Sequence, residues 1–289
     1  MTEGSLKVWS GHAQIRPYQV TSHAQVVCHE CRGLAEVVPA AVAETPQLGF
    51  VLHGWERVRI GDHEVAADVA QVVLFNPGDI YRVEHMACTG RQCAVTIALA
   101  PELVEDAFID VPASCGRTPQ RPFTNRLIPR AARTQLLLYR ILAANETGPA
   151  SQLESEELTL ELVCRVLRRA NQWDREVPSG GSARLASAAR EILATRFNEP
   201  LTLGAVAAEL GCSKYHLCRI FRACTGTTVF AYLSQLRLAA AIRLLAEGEE
   251  DLSRLAHELG FSSHSHFTFT FRAEVGETPS RARLGMRST

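Results

Sequence analysis

The sequence predicts a multidomain α+β protein in which a β-rich amino-terminal half precedes an all-helical carboxy-terminal half. The chain has 289 residues, which is long enough for two domains of ordinary size. Residues 20–100 contain short apolar runs separated by turn residues at spacings of roughly ten residues, which is typical of a β-sandwich or small barrel. From residue 129 onward the apolar residues recur at helical spacing instead.

The composition is that of a globular protein, with 46% hydrophobic and 21% charged residues. It contains no uninterrupted apolar run close to the roughly 18 residues that a membrane span needs, and no apolar leader segment near its start. Nine cysteines is an odd number, and several lie within apolar runs, which favours reduced thiols over a disulfide framework. We therefore expect a cytoplasmic protein with no membrane partner.

The β-rich half contains two long runs of strand-forming residues, "GFVLHGWERVRIG" and "DVAQVVLFNPGDIYRVEH". The alternation of polar and apolar residues breaks at Gly61-Asp62 and then resumes, which predicts two strands joined by a tight turn. A further strand, "GRQCAVTIALAP", is expected to stop at Pro101.

Two helices are predicted next, over 129–145 and 151–174, within a helical part that covers 124–174. Pro129 is tolerated in a first helical turn, and the second helix is acidic at its start and basic at its end, which matches the helix dipole. A short connection joins them, so we expect them to pack antiparallel and to form a dimerisation element. The run "EVPSGGSA" then predicts a linker at 177–182, between domains at 1–176 and 183–289.

The carboxy-terminal half contains one pattern twice. "LTLGAVAAELGCSKYHLCRIFRACTG" and "DLSRLAHELGFSSHSHFTFTFRAEVG" each combine a short helix, a glycine turn and a second helix. This arrangement predicts two helix-turn-helix units, at 202–225 and 252–275. A helix predicted over 228–247 separates them by roughly 30 Å, which is nearly one turn of DNA.

The distribution of charge along the chain agrees with DNA binding by the carboxy-terminal half. Residues 182–289 carry 13 basic and 10 acidic residues, whereas residues 1–181 carry 17 basic and 21 acidic ones. The helical half is therefore the half expected to bind a polyanion.

Residues 183–289 resemble the DNA-binding domain of the AraC/XylS family of transcription regulators. The second unit is the most diagnostic stretch, with matches that include Ala256, Gly260, Phe261 and Pro279. In the first unit and the connecting helix, residues such as Ala207, Gly211, Tyr232, Arg237 and Leu238 match in the same way.

The resemblance implies which residues contact promoter DNA. In the first unit these are the following: Ser213, Lys214, Tyr215, Cys218, Arg219 and Arg222. In the second unit they are the following: Ser263, His264, Ser265, His266, Phe269 and Arg272. The family often has arginine at the position of Phe269 and tyrosine at that of Ala282, so we expect more apolar reading by the second unit, for example of a thymine methyl.

The amino-terminal half resembles, more loosely, the cupin-like effector-binding domain of such regulators, over residues 20–105. The stretch "NPGDIYRVEH" then implies an effector pocket edge that contains Asp79, Tyr81, Arg82 and His85. Residues 124–174 resemble the family's helical dimerisation pair. An alternative is that this half dimerises without sensing an effector.

A cupin-type metalloenzyme is a further alternative, but its pattern of ligands is missing. An iron site needs two histidines separated by one residue. Here His53, His63 and His85 stand apart, and the pair His264 and His266 lies on a predicted helix, where residues i and i+2 do not share a face. No catalytic residue or cofactor is therefore predicted.

The cysteines suggest an alternative stimulus for the regulator, namely a soft metal or an oxidant. Cys28 and Cys31 form a Cys-x-x-Cys pattern beside His23 and His29, and Cys88 and Cys93 follow at a wider spacing. Such thiols bind soft metals or respond to oxidants when they converge, whereas buried cysteines on strands act as small apolar residues. The sequence thus predicts an effector-controlled, homodimeric DNA-binding regulator, favours activation with RNA polymerase over repression, and keeps metal or thiol sensing as the alternative.

Overall fold

The computed structural model describes residues 14–19, 24–32, 40–85, 91–107, 118, 120–146, 152–172 and 180–286. The strands are as follows: β1 Gln14–Gln19, β2 Ala24–Arg32, β3 Ala41–Val42, β4 Gln47–Val51, β5 Trp55–Ile60, β6 His63–Asp68, β7 Gln71–Phe75, β8 Ile80–His85, β9 Arg91–Leu99 and β10 Leu127–Pro129. The helices are as follows: α1 Pro101–Ala107, α2 Ala132–Glu146, α3 Gln152–Gln172, α4 Gly181–Thr195, α5 Leu203–Glu209, α6 Lys214–Thr225, α7 Val229–Ala246, α8 Leu252–Glu258, α9 His264–Val275 and α10 Pro279–Leu284.

The amino-terminal half is built on two antiparallel sheets, which confirms the predicted β-rich domain. One sheet has six strands in the order β1-β2-β9-β4-β7-β10, and the other has four in the order β3-β8-β5-β6. Apolar side chains of both sheets, among them Val58, Ile60, Val73 and Phe75, form one buried cluster between them. The predicted hairpin is β5–β6, in which Ile60 pairs with His63 across the turn at Gly61.

Helices α2 and α3 pack on the six-stranded sheet. Val72 and Leu74 of β7 lie in one buried cluster with Ile141 of α2 and Leu162 and Val166 of α3. Strand β9 ends before Pro101, as expected, but Pro101 also begins helix α1, which the sequence pattern did not indicate. Proline is well suited to a first helical turn because its missing N–H is not needed there.

The carboxy-terminal half is helical throughout the residues described. Helix α4 begins at Gly181, so it includes the last two residues of the predicted linker. Helices α5 and α6 lie within the first predicted unit, and α8 and α9 lie within the second. An all-helical domain with two helix-turn-helix units is therefore confirmed.

Helix α7 joins the two units and forms the centre of this domain. It is long and apolar enough to cross a membrane by composition alone. Its apolar side chains, however, belong to the cores of both units, with Tyr232 and Leu236 in the first core and Leu238, Ile242 and Leu245 in the second. Apolar composition here reflects burial within the helical domain.

The two halves pack against one another, and two of the buried clusters among the described residues contain side chains from both. Ala70, in the turn between β6 and β7, joins the core of the first unit. Ala132 and Leu136 of α2 join the core of the second unit. Because α2 is shared between the sheet and the helical domain, it is enclosed within the protomer.

Candidate nucleic-acid interface

The first helix-turn-helix unit is assembled from two capped helices and a glycine turn. Thr202 caps α5 by accepting a hydrogen bond from the backbone N–H of Ala205 (3.1 Å), and Ser213 caps α6 by accepting one from His216 (3.2 Å). Gly211 between them has a φ of +64°, a value that favours glycine. Leu217 and Phe221 are fully buried, so the opposite face of α6 is turned to solvent.

The second unit repeats this construction. Asp251 caps α8 and Ser263 caps α9, accepting the N–H of His266 at 3.1 Å. Gly260 has a φ of +76°, and Phe267 and Phe271 take the buried positions of α9. Ser213 and Ser263 are both predicted to contact DNA. In the structure their hydroxyl oxygens cap the amino-terminal ends of α6 and α9, which are the predicted recognition helices.

The solvent-facing side of α6 carries a mixed basic and aromatic surface. Lys214, Tyr215, Cys218, Arg219 and Arg222 are all exposed, with Tyr215 reaching 78% exposure. The exposed ring of Tyr215 lies beside the basic side chains of Lys214 and Arg219 on this face. Within the described part of the chain, Arg219 makes one long contact, 3.5 Å from Nη2 to Nδ1 of His216, so its guanidinium can reach outward.

The equivalent side of α9 is less basic. Phe269, which occupies the place of Arg219 in the repeat, is 76% exposed, and His264, Ser265 and Arg272 are exposed around it. His266 differs from its neighbours, because its Nδ1 lies 2.9 Å from the hydroxyl of Ser262 and its ring contacts Phe261 edge-on. The predicted DNA-contacting residues of each unit therefore lie on one face of α6 or α9. His266 differs in that its ring packs on the turn that precedes α9.

Helix α7 fixes the spacing of the two units. Its 18 residues span about 27 Å, which is close to one helical turn of DNA. Arg237 of α7 donates to the carbonyl oxygens of Phe197 (2.8 Å), Gly260 (2.7 Å) and Glu199 (3.0 Å). This guanidinium ties the turn of the second unit to the segment after α4, so the two units are held in a fixed relation.

A buried polar cluster connects the helical domain to the sheet domain. Tyr232 of α7 donates its hydroxyl hydrogen to the carboxylate of Asp68 at the end of β6, and both side chains are buried. Arg190 of α4 donates from Nη1 to Oε1 of Gln71 (2.7 Å) and to the carbonyl of Ala66 (2.9 Å). Burial raises the pKa of Asp68, and the Arg190 guanidinium and the Tyr232 hydroxyl act in the opposite direction.

Helix α2 makes the second connection. Arg140 donates to Glu277, just beyond the end of α9, at 2.6 Å. A Cβ placed on Gly276, the residue that ends α9, would lie 2.8 Å from the guanidinium of Arg133. The amino-terminal half therefore contacts the end of a predicted recognition helix directly. No local sequence pattern indicated these contacts, since each joins residues more than a hundred positions apart.

Three of the four predicted effector residues, Asp79, Tyr81 and Arg82, have side chains that the structure describes, and these three do not converge. Asp79 accepts the backbone N–H of Asn76 (2.6 Å) and forms an ion pair with Arg126, so it holds the turn between β7 and β8. Tyr81 packs on Phe75, whereas Arg82, the next residue on β8, is exposed, because successive strand residues point to opposite faces. His85 ends β8, and its side chain lies outside the described residues.

The predicted thiol cluster is only partly within the described chain. Cys28 and Cys31 lie on β2, and Cys93 lies on the adjacent strand β9, paired with Glu30. Their side chains and the whole of Cys88 are outside the described residues, so metal or thiol sensing stays a prediction. In the part of the chain that is described, no three metal-ligating side chains cluster.

Comparisons with known proteins agree with this architecture. Residues 10–185 match the family described as the regulatory protein PchR N-terminal domain, and residues 206–284 match a helix-turn-helix domain family. An uncharacterized HTH-type transcriptional regulator, YbfI of Bacillus subtilis (strain 168), is 27% identical over 88% of this chain and 90% of its own length.

Two further comparisons cover a smaller share of the chain. The HTH-type transcriptional activator RhaR of Salmonella schwarzengrund (strain CVM19633) is 30% identical over 45% of this chain and 46% of its own. A crystal structure of a transcriptional regulator of Chromobacterium violaceum, described among AraC-type DNA-binding domain-containing proteins, is 30% identical. It covers 37% of this chain and 96% of its own, with a TM-score of 0.35.

Proposed function

The chain belongs to the AraC/XylS family of DNA-binding transcription regulators, a family of regulators and not of enzymes, and from this premise we propose how it reads DNA. Helices α6 and α9 enter successive major grooves on one face of promoter DNA. The observation that carries this proposal is the pairing of two capped, solvent-facing helices across α7, whose length of about 27 Å approaches one turn of the duplex.

The two helices read by different chemistry. On α6, we expect the exposed Arg219 to make a bidentate contact to guanine and the exposed Lys214, at the start of the helix, to contact a phosphate. On α9, the exposed ring of Phe269 offers apolar contact to a thymine methyl, and we expect the exposed Arg272 to lie near the DNA phosphates. We therefore expect the first unit to carry most of the sequence discrimination.

A comparison of two variants tests this assignment. Arg219→Ala should cost about 1–3 kcal/mol of binding to a duplex selected by the full chain from a random library, and should relax the preference at one base pair. Lys214→Ala should weaken binding to selected and random duplexes alike. Arg184→Ala, at an exposed position of α4 that is not among the predicted DNA-contacting residues, serves as the control.

Fluorescence anisotropy at several salt concentrations measures all three affinities on both duplexes. Equal losses on selected and random DNA for Arg219→Ala would contradict base reading by that residue. Unchanged salt dependence for Lys214→Ala would contradict its phosphate contact, since each phosphate contact contributes to the salt slope.

Dimerisation is proposed to occur through α3. Leu153 and Leu160 are exposed to 69% and 38%, and Cys164 is exposed on the same side of the helix. Helix α2 is enclosed between the sheet and the helical domain, so α3 is the member of the pair that offers an apolar stripe to a second copy. Two copies would engage paired half-sites.

Sedimentation velocity of the full chain at tens of micromolar tests the dimer. We expect a dimer for the unmodified chain and a monomer for Leu160→Glu. Leu284→Glu, which places the same charge at an exposed leucine of α10, should remain dimeric. A dimer that survives Leu160→Glu unchanged would place the interface elsewhere.

We also propose that the protein acts in the cytoplasm as an activator that works with RNA polymerase and responds to an effector at its amino-terminal half. Support for activation comes from RhaR, which is named an activator and is 30% identical over 45% of this chain. The direct contacts of Asp68 and α2 with the helical domain provide a route by which an effector changes DNA binding. Transcription in vitro with RNA polymerase tests this, and loss of transcript on adding the protein would indicate repression instead.

A further inference from the structure

A cleft of about 420 Å³ opens where the sheet domain, the helix pair and the helical domain meet. Its floor is formed by Val72 of β7, Ile128 of β10 and Val166 of α3, all buried apolar residues. Its rim is formed by the start of α2, the end of α3 and Gln235 of α7. A cavity of this size lies within the range of small-molecule sites.

The rim is strongly basic. Among the described residues that line the cleft none is acidic, and five are arginines, as follows: Arg130, Arg133, Arg165, Arg168 and Arg169. Glu161, just outside the cleft, forms ion pairs with both Arg133 (3.6 Å) and Arg165 (2.8 Å), so one carboxylate is shared between two cations. The excess of positive charge at the rim predicts an anionic occupant.

Two buried polar atoms of the wall lack partners within the described chain. Arg130 is only 3% exposed, and its Nη1 makes no hydrogen bond, although Nε donates to the carbonyl of Val69 at 2.8 Å. Burial lowers the pKa of Arg130 to about 9, against the influence of Asp68, so the guanidinium remains charged at neutral pH. Oε1 of Gln235 is the second such atom. An orphaned buried donor on a charged group is costly, and binding of a water or an ion beside it removes that cost.

We propose that this cleft binds a small organic oxyanion, an apolar body that carries a carboxylate or a phosphate. The anionic group lies among the arginines, and the apolar body lies on the floor formed by Val72, Ile128 and Val166. This inference rests on the proposed function, because it identifies the cleft as the effector site of the regulator. It differs from the site expected around Asp79 and Tyr81, neither of which lines the cleft.

An occupant of the cleft contacts both halves of the protein. Arg133 and Thr134 belong to α2, whereas Gln235 belongs to α7, the helix that connects the two DNA-reading units. Binding therefore favours the arrangement in which α2 is packed on the helical domain and changes DNA affinity through that contact. The exposed stripe of α3 at Leu160 and Cys164 adjoins the rim of the cleft, because Arg168 lies one helical turn after Cys164.

Calorimetric titration of the full chain tests the proposal with 2-naphthoate, 1-naphthyl phosphate and the neutral 2-naphthamide as probes. We expect at least one of the two anions to bind tenfold or more tightly than the amide, and the stronger of the two identifies the anionic group. Arg133→Gln and Arg168→Gln should each weaken that anion roughly fivefold, as expected for an exposed charge contact. Arg184→Gln, an exposed arginine outside the cleft, should leave its affinity unchanged.

The outcomes separate this inference from the proposed function. Equal binding of anion and amide, or equal weakening by Arg168→Gln and Arg184→Gln, overturns the oxyanion site. If the same preparations still bind the selected duplex, DNA reading stands and only the cleft is misassigned. Binding of the anion with unchanged duplex affinity overturns its role as the effector site.

Discussion

The two glycine turns of the DNA-binding domain form a matched pair for testing how the second unit is held together. Gly211→Ala and Gly260→Ala each place a Cβ at a positive φ, +64° and +76°, which costs alanine about 1–2 kcal/mol. A Cβ at Gly211 would meet no atom within 4 Å. At Gly260 it would lie 2.8 Å from Nη2 of Arg237 and 2.9 Å from the carbonyl oxygen of Asn198.

These distances set the size of the expected difference. Contacts below 3.0 Å force a shift of the backbone or of the Arg237 guanidinium, whose hydrogen bonds to Phe197 and Gly260 would then weaken. Overpacking of this kind costs about 1–3 kcal/mol. We therefore expect Gly260→Ala to destabilise its unit by about 2–5 kcal/mol in total, against about 1–2 kcal/mol for Gly211→Ala.

Native-state hydrogen exchange measures the loss locally, at the amides of α9 for Gly260→Ala and of α6 for Gly211→Ala. Affinity for the selected duplex, measured in parallel, should fall more for Gly260→Ala, because α9 is then less often folded. Equal losses of protection in the two variants would contradict the expected overpacking at Gly260, since of these two glycines only Gly260 is closely approached by other atoms.

Three further predictions concern the buried polar contacts. In urea unfolding, a double-mutant cycle of Tyr232→Phe and Asp68→Asn should give a coupling free energy of about 1–3 kcal/mol. The control Tyr215→Phe, at an exposed tyrosine, should change the free energy of unfolding by less than about 0.5 kcal/mol. The folded-state pKa of Asp68 is raised above 3.8, so the stability contributed by its protonation is present at low pH and is lost as pH rises through the raised value. The stability difference should thus move in favour of Asp68→Asn between pH 4 and 7, and a constant difference would contradict the raised pKa. Arg237→Lys keeps the charge but loses two of the three hydrogen bonds to backbone carbonyls. The hydrogen-exchange protection of the α9 amides should therefore fall by about 1–3 kcal/mol. Unchanged protection would show that these hydrogen bonds do not hold the second unit.

The repeat in the helical half was predictable because its signals are local. The glycines at 211 and 260 and the capping serines at 213 and 263 lie beside the helices that they delimit, and the structure begins α6 and α9 directly after the serines. Helical periodicity also predicted α7, which is two residues shorter than expected.

The contacts of the amino-terminal half were not predictable in the same way. Asp79 looked like the edge of a pocket, but its partner Arg126 lies 47 residues further along the chain. The bond between Asp68 and Tyr232 spans 164 residues, and no periodic pattern reports such a pairing. The cleft likewise combines residues from β7, β10, α2, α3 and α7, which become neighbours only when both domains are packed.

The most direct test of DNA reading by both units is a dimethyl sulfate and hydroxyl-radical footprint of the full chain on its selected duplex. We expect each protomer to protect two major-groove segments on one face of the DNA, about 10 base pairs apart. Arg219→Ala should remove guanine protection in one segment only, and Phe269→Ala should affect the other. A single protected segment per protomer, or a footprint that neither variant alters, would contradict the conclusion that α6 and α9 read DNA together.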